Sequence, residues 1–441
     1  MKLFSKQLIL KIRHFYFVFF LYNIALSNAQ TALDSIKIMS YNVGNFGIAS
    51  TTSCPLLNIS TKSAYLRTII SYENPDIIGL VKMNADSNFC TNTVLTNVLN
   101  PVCNGCWGNG SFSNVSTYTK ADMLYFKTNK FGFKNSTVIY SADPNISDIK
   151  LHKLYFKSPN LATTHDTIFL KIVVAHLKSG SGNASDRATE IGGAMSWLNA
   201  NTTTNENIIF MGDFNTTSSN ETCFQKLINS TNTNTKFYDP ANQLGDWSAN
   251  PNTFAHWLTQ STRTSDPGDC LATGGLNDRF DHILLTSSLL NGTNSLRYIS
   301  GTYQVVGQDG NHVGASLIDP PTNANVPSTV TNALYNMSEH LPVVLKLVVN
   351  NPSVFSTNSI ADLESQISIT PNPSTAQFKV LIPESIKIDT IKVFTLMGAE
   401  LVSESVTTNP EINLSQFSKG IYFIQLIDEH QIYVFKKVVL Q

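Results

Sequence analysis

The sequence predicts a mixed α/β domain followed by a small all-β sandwich. Three observations lead there. Short apolar β-like runs alternate with helical stretches from about residue 34 to residue 350. A linker-like mixture beginning Asn350-Asn351-Pro352-Ser353 then interrupts that alternation. Beyond it come only short strand-like runs punctuated by Gly and Pro. A chain of 441 residues accommodates two or three domains at the usual ~100–200 residues each. Apolar residues make up 42%, enough for a core, so wholesale disorder is excluded. Charged residues make up 14% and the formal net charge is −1, which argues against gripping long nucleic acid by a basic surface. A small phosphate-binding cleft stays open.

The elements follow in chain order. Lys2, Lys6, Lys11 and Arg13 precede an apolar run, 15–26, and the small-x-small pattern Ser27-Asn28-Ala29. This reads as a secretory signal peptide over 1–29, with the mature chain starting at Gln30; an uncleaved anchor is the alternative. The run is shorter than the ~20 residues of a membrane-spanning helix, so no integral span is expected after cleavage. The main domain is expected over 30–350. Within it, strands are expected over 35–43, 77–83, 123–127, 167–177, 208–214, 280–285 and 342–349, and helices over 64–73 and 186–199. In the second helix Ala188, Ile191, Met195 and Leu198 share one face. The linker covers 351–366 and the second module 367–441, with strands near 378–382, 390–394, 419–423 and 436–439.

Six cysteines (Cys54, Cys90, Cys103, Cys106, Cys223 and Cys270) allow 15 pairings, and the sequence does not choose among them. Cys103 and Cys106 have zinc-knuckle spacing but lack a second pair, so disulfides are the expectation for an exported chain.

Polar motifs cluster at the ends of the apolar strands. Ser40-Tyr41-Asn42-Val43-Gly44-Asn45-Phe46 ends the first, and Val174-Ala175-His176-Leu177-Lys178-Ser179 ends a central one. Gly212-Asp213-Phe214-Asn215 closes another, Arg279-Phe280-Asp281-His282-Ile283 opens the next, and Ser338-Glu339-His340-Leu341-Pro342 precedes the last. One such motif alone is weak: an isolated Gly-Asp-Phe-Asn is usually a turn. Five in register with strand ends point to one polar edge of a sandwich. Cleaving a phosphodiester needs an activated water, a stabilised phosphorane-like charge and help for the leaving oxygen. A His backed by a carboxylate, an adjacent Asp and Asn, and a second His supply those parts.

In this order the motifs of roughly residues 34–350 resemble the endonuclease/exonuclease/phosphatase superfamily. The resemblance implies a four-layer α/β sandwich of two similar halves, the deoxyribonuclease-like fold. It implies His340 as general base, Asp281 as its orienting carboxylate, Asp213 and Asn215 as holders of water and phosphate, and His176 as an aid to the phosphate or leaving group. Asn42 and Glu339 would belong to the metal site, with Mg²⁺ or Mn²⁺ as the ion, and Asp122 is placed by offset beside His176. Two positions depart from the family pattern. Lys82 stands where the main acidic metal ligand is expected, and Glu339 replaces an Asp. A cationic Lys cannot ligate Mg²⁺, which takes oxygen donors. Three readings follow. Asp86, Glu339 and Asn42 rebuild a weaker metal site; or the Lys82 ammonium takes over the ion's charge and pairs with Glu339; or the domain is catalytically degenerate and binds a surface ligand.

The second module, with Pro371-Asn372-Pro373-Ser374, Gly398, Lys419-Gly420-Ile421-Tyr422-Phe423 and Lys436-Lys437-Val438-Val439, resembles the type A C-terminal sorting domain of the type IX secretion system of Bacteroidetes. That implies the secretion machinery as a partner and a secreted or outer-membrane surface location reached through the periplasm. Extracellular nucleic acid or another phosphoester is the substrate expected from the family, and a monomer is expected.

Overall fold

The computed structural model describes residues 35–141, 146–158, 161, 167–349, 366–383, 388–396, 399–406, 410–427 and 433–441. The expected signal peptide and linker residues 351–365 lie outside these. The chain divides into two compact units, Met1–Asn350 and Asn351–Gln441.

Among its described residues the first unit has thirteen strands: β1 (Ser35–Phe46), β2 (Ile77–Asn84), β3 (Trp107–Asn109), β4 (Lys120–Lys127), β5 (Phe131–Tyr140), β6 (Ile149–Phe156), β7 (Phe169–His176), β8 (Ile208–Asp213), β9 (Phe237–Tyr238), β10 (Asp281–Thr286), β11 (Leu296–Tyr298), β12 (Gln304–Val305) and β13 (Val343–Val349). One sheet runs β11-β13-β1-β2-β4-β3, with β12 on β13; the other runs β5-β6-β7-β8-β10-β9. Each centres on a single parallel pair, β1 with β2 and β7 with β8, flanked by antiparallel strands. Helices α1 (Ile59–Glu73) and α2 (Ala184–Asn201) make the crossovers that parallel pairing requires. Helix α3 (Thr222–Ile228) packs on α2, and α4 (Ser328–Met337) packs on α1. The result is a four-layer α/β sandwich, as the motif order implied.

Local chemistry sets the ends of these elements. Asn58 starts α1 by accepting the Thr61 N–H at 3.1 Å, and Asn74 closes it in the left-handed region. Strand β2 reads IIGLVKMN and is buried through most of its length, as expected for a central strand covered on both faces. The sheets approach closely at Gly79, where a Cβ would stand 2.5 Å from Met211 Cε on the facing sheet. Strands β5 and β6 were not anticipated. Lys150 and His152 are fully buried on β6 and break its apolar pattern, while β5 is half polar.

The second unit comprises β14 (Ser368–Thr370), β15 (Gln377–Leu381), β16 (Thr390–Thr395), β17 (Glu400–Ser405), β18 (Glu411–Asn413), β19 (Gly420–Ile427) and β20 (Tyr433–Leu440). A three-stranded sheet, β14-β15-β18, and a four-stranded one, β17-β16-β19-β20, share a core that includes Phe378, Val393, Ile412, Ile424 and Val438. This is the small all-β sandwich expected.

Two disulfides form, Cys54–Cys270 and Cys103–Cys106, and Cys90 and Cys223 are free and buried. The zinc-knuckle spacing is therefore occupied by a bond between its own two sulfurs.

Candidate active site

Polar side chains converge because parallel strands end, and their antiparallel neighbours begin, at the same edge. His176, Asp213 and Asp281 are direct cross-strand partners on β7, β8 and β10. Asn42 lies near the end of β1, and Glu339 and His340 lead into β13, which pairs antiparallel with β1. Gly212 makes the end of β8 possible. Its φ is 141°, and a Cβ there would lie 1.8 Å from the carbonyl oxygen of Ala175.

His340 is buried, and its Nδ1 is 2.7 Å from Asp281 Oδ2. Its backbone N–H donates to Ser338 Oγ at 3.1 Å, and that hydroxyl donates to Asn42 O at 2.7 Å, which fixes the loop to β1. The Nε2 atoms of His340 and of His176 each stand 3.6 Å from Asp213 Oδ2, too far for a hydrogen bond, and the charged His340 ring is close enough for an ion pair. Asn42 Nδ2 donates to the same Asp213 oxygen at 2.8 Å. The Asn215 N–H donates to Asp213 Oδ1 at 2.9 Å, while its Nδ2 donates to Leu177 O at 3.0 Å.

These neighbours set the charges. Burial opposes charge on His340, but Asp281 and Asp213 outweigh it and lift the ring to about 9. Burial lifts Asp213 to about 6 against the His340 charge. Burial, reinforced by Lys82 and Lys120, holds His176 well below its ordinary value, so this second ring is neutral near pH 7.

Lys82 sits inside the constellation and not on a solvent-facing strand end. Its Nζ is 2.5 Å from Glu339 Oε1, and its side chain is 17% exposed against 0% for Glu339. The pairing of β2 slips at this point, on both the β1 and β4 sides, and Lys82 takes φ 64°. Such bulges re-aim a side chain. The Lys82 N–H is anchored by Asp122 Oδ1 at 3.1 Å. Asp122, expected beside His176, holds the Lys82 bulge through this bond, and burial raises it to about 7. Asp86 also falls elsewhere. It is exposed, and it accepts the Phe89 N–H at 2.7 Å at the start of a helical segment.

The donors do not fit a divalent ion at the Asn42–Glu339 position. Glu339 is paired with the Lys82 ammonium through Oε1, and the Ser338 hydroxyl oxygen lies 3.2 Å from its Oε2. Asn42 is committed through Nδ2 to Asp213 and through Oδ1 to the Gly44 N–H at 3.0 Å. Asp213, Asp281 and His340 do bring three ligand-type atoms within 4.8 Å of one another. In that trio, however, Asp281 Oδ2 is already bonded to His340 Nδ1, and Gln260 Nε2 lies 2.8 Å from His340 Nε2.

Two residues of the site carry no sequence signal. Gln260, on an irregular segment bridged to His340, places its side-chain Nε2 2.8 Å from His340 Nε2. Lys120, at the start of β4, is held below its ordinary value by burial and by the charge of Lys82.

Residues 368–441 match the family described as the secretion system C-terminal sorting domain. The second unit is a secretion sorting domain. The sorting domain thus accounts for the whole seven-stranded module. No curated protein matches the chain in sequence. Among solved structures, the chain is similar to the human Nocturnin catalytic domain with bound sulfate, at 14% identity over 71% of this chain and 94% of that one, with TM-score 0.43. It is similar to D. rerio TDP2 complexed with single-strand DNA product, at 12% identity over 71% and 99%, with TM-score 0.44. It is also similar to an endonuclease/exonuclease/phosphatase family protein from Bacteroides thetaiotaomicron, at 13% identity over 72% and 99%, with TM-score 0.42. Among the described residues no helix is long and apolar enough to cross a membrane.

Proposed function

We propose that the first unit is a phosphoester hydrolase of the endonuclease/exonuclease/phosphatase type, delivered to the cell surface or the medium by the type IX machinery that its sorting domain addresses. The observation that carries the hydrolase reading is the buried His340–Asp281 pair, 2.7 Å apart, with its outer nitrogen facing Asp213 and a neutral His176 across the same carboxylate.

In this reading the Gln260 side chain yields His340 Nε2 to a water held between that nitrogen and Asp213, and the water attacks phosphorus. The water proton passes to His340 Nε2, the new P–O bond forms as the ester P–O bond breaks, and the leaving oxygen takes a proton from solvent. Asp281 holds the ring and stabilises the imidazolium that results. His176, being neutral, serves as an N–H donor to a phosphoryl oxygen and not as an acid. Asn42 and the Asn215 backbone fix the orientation of Asp213. Because His340 is protonated at rest, it becomes competent only as pH approaches about 9. The near-neutral chain favours short or single-stranded substrates over long duplex, whose binding rests on many phosphate contacts.

The test is hydrolysis of single-stranded DNA, duplex DNA, RNA and bis-p-nitrophenyl phosphate, with His340→Ala as the contamination control. Activity lost in the variant supports the reading. Activity retained, or absent in the native protein under every condition, overturns it.

A further inference from the structure

The geometry points to Lys82, held against Glu339 on a left-handed bulge, as the permanent cation of this site: its ammonium meets the anionic oxygens of a phosphate, and a divalent ion is not required. This deepens the hydrolase reading and rests on it.

The first support is position. Lys82 Nζ lies 2.5 Å from Glu339 Oε1, and that oxygen stands 4.0 Å from His340 Nε2. It therefore stands among the groups that would surround the phosphate. The second is construction. The residue is locked by three separate features: its φ of 64°, the register slip of β2 on both sides, and the buried Asp122 that takes its N–H. A non-glycine residue in this region of backbone space is strained and persists where the surroundings over-determine it. A solvent-facing lysine would have no such scaffold.

The third support is charge balance. Glu339 is fully buried and needs a positive partner, which Lys82 supplies. A divalent ion would have to displace that ammonium, leaving a lysine charge beside the ion. The chemical class that meets an ammonium fixed in this way is a phosphoryl group carrying non-bridging oxygens, with Lys82 as a point-charge donor.

The test uses the full chain and separates this inference from the hydrolase reading. Hydrolysis of bis-p-nitrophenyl phosphate is followed with EDTA and with Mg²⁺ or Mn²⁺. Calorimetric titrations with each metal ion and with inorganic phosphate run in parallel. The variant is the double Lys82→Met/Glu339→Gln, which avoids leaving Glu339 buried and unpaired. The expected result is EDTA-resistant turnover, no metal-binding heat, and phosphate affinity weakened about tenfold or more in the double variant. Turnover that vanishes in EDTA and returns with metal, together with a metal-binding heat, overturns the inference and leaves the hydrolase reading standing. With no turnover at all the hydrolase reading fails, and the phosphate titration still decides: binding lost in the double variant sustains the inference, and absence of phosphate binding overturns it.

Discussion

Replacing Asp281 with Asn tests the relay most directly, because the change keeps shape and removes one charge. Asp281 Oδ2 sits 2.7 Å from His340 Nδ1, and both side chains are buried. The His340 ring titrates near 9 against an ordinary 6.5, a difference equivalent to ~3 kcal/mol in favour of the charged ring. Burial acts in the opposite direction, so the carboxylates supply more than this sum, with Asp281 ahead of Asp213. Two consequences should separate. The rising limb of kcat/KM against pH, near 9 in the native protein, should move about one to two pH units lower, with Asp213 retaining part of the upward pull. The plateau rate should nevertheless fall by about 10²–10⁴-fold, because an amide neither fixes the tautomer nor stabilises the imidazolium. The assay is bis-p-nitrophenyl phosphate hydrolysis from about pH 6 to about pH 10, with thermal melting to show that the variant folds. A plateau within about threefold of native, or a limb that stays near 9, would refute the assignment of base and orienter.

Other expectations concern the scaffold. Gly212→Ala places a Cβ 1.8 Å from Ala175 O, so its melting temperature should fall sharply, with a destabilisation of about 3 kcal/mol or more. Arg279 binds Asp239 through two bonds, at 2.8 and 2.9 Å, and Arg279→Met should cost about 3–5 kcal/mol by stranding the buried carboxylate. That pair also sets an acid limit. Despite burial, Arg279 holds Asp239 near 2, below its ordinary 3.8, so its stabilisation is present above about pH 4 and is lost as pH falls through about 2. Denaturant midpoints measured across that range should show the fall, and the Arg279→Met protein should lose it. Cys90 and Cys223 are buried, with thiols pushed up to about 12. A thiol reagent should therefore label neither in the native protein and both after unfolding without reductant.

Much of the fold was legible because burial leaves a period in the sequence. Each central strand expected from an apolar run forms, and α2 extends the face of Ile191, Met195 and Leu198 that was read from spacing. Strand β6 escaped because Lys150 and His152 interrupt its apolar pattern while lying wholly inside. The site was legible to the extent that it lies at strand ends. His176, Asp213, Asp281 and His340 are adjacent to runs whose direction could be read, and they do meet. Gln260 and Lys120 came from an irregular segment and a strand start, where no periodicity marks a residue as pointing inward.

The sequence by itself determined the order of polar motifs at the strand ends and the separate β-sandwich module, because both follow from local pattern and turn chemistry. It also showed that a lysine stands where an acid was expected, but left three meanings for it. Only the tertiary structure decided among the placements. Lys82 and Glu339 are 257 residues apart, and their contact depends on a slipped register in β2, the Asp122 anchor beneath it and the loop fixed by Ser338. Charge in a buried site is a property of which groups end up adjacent, and adjacency across that separation is set by packing, not by the chain's local preferences.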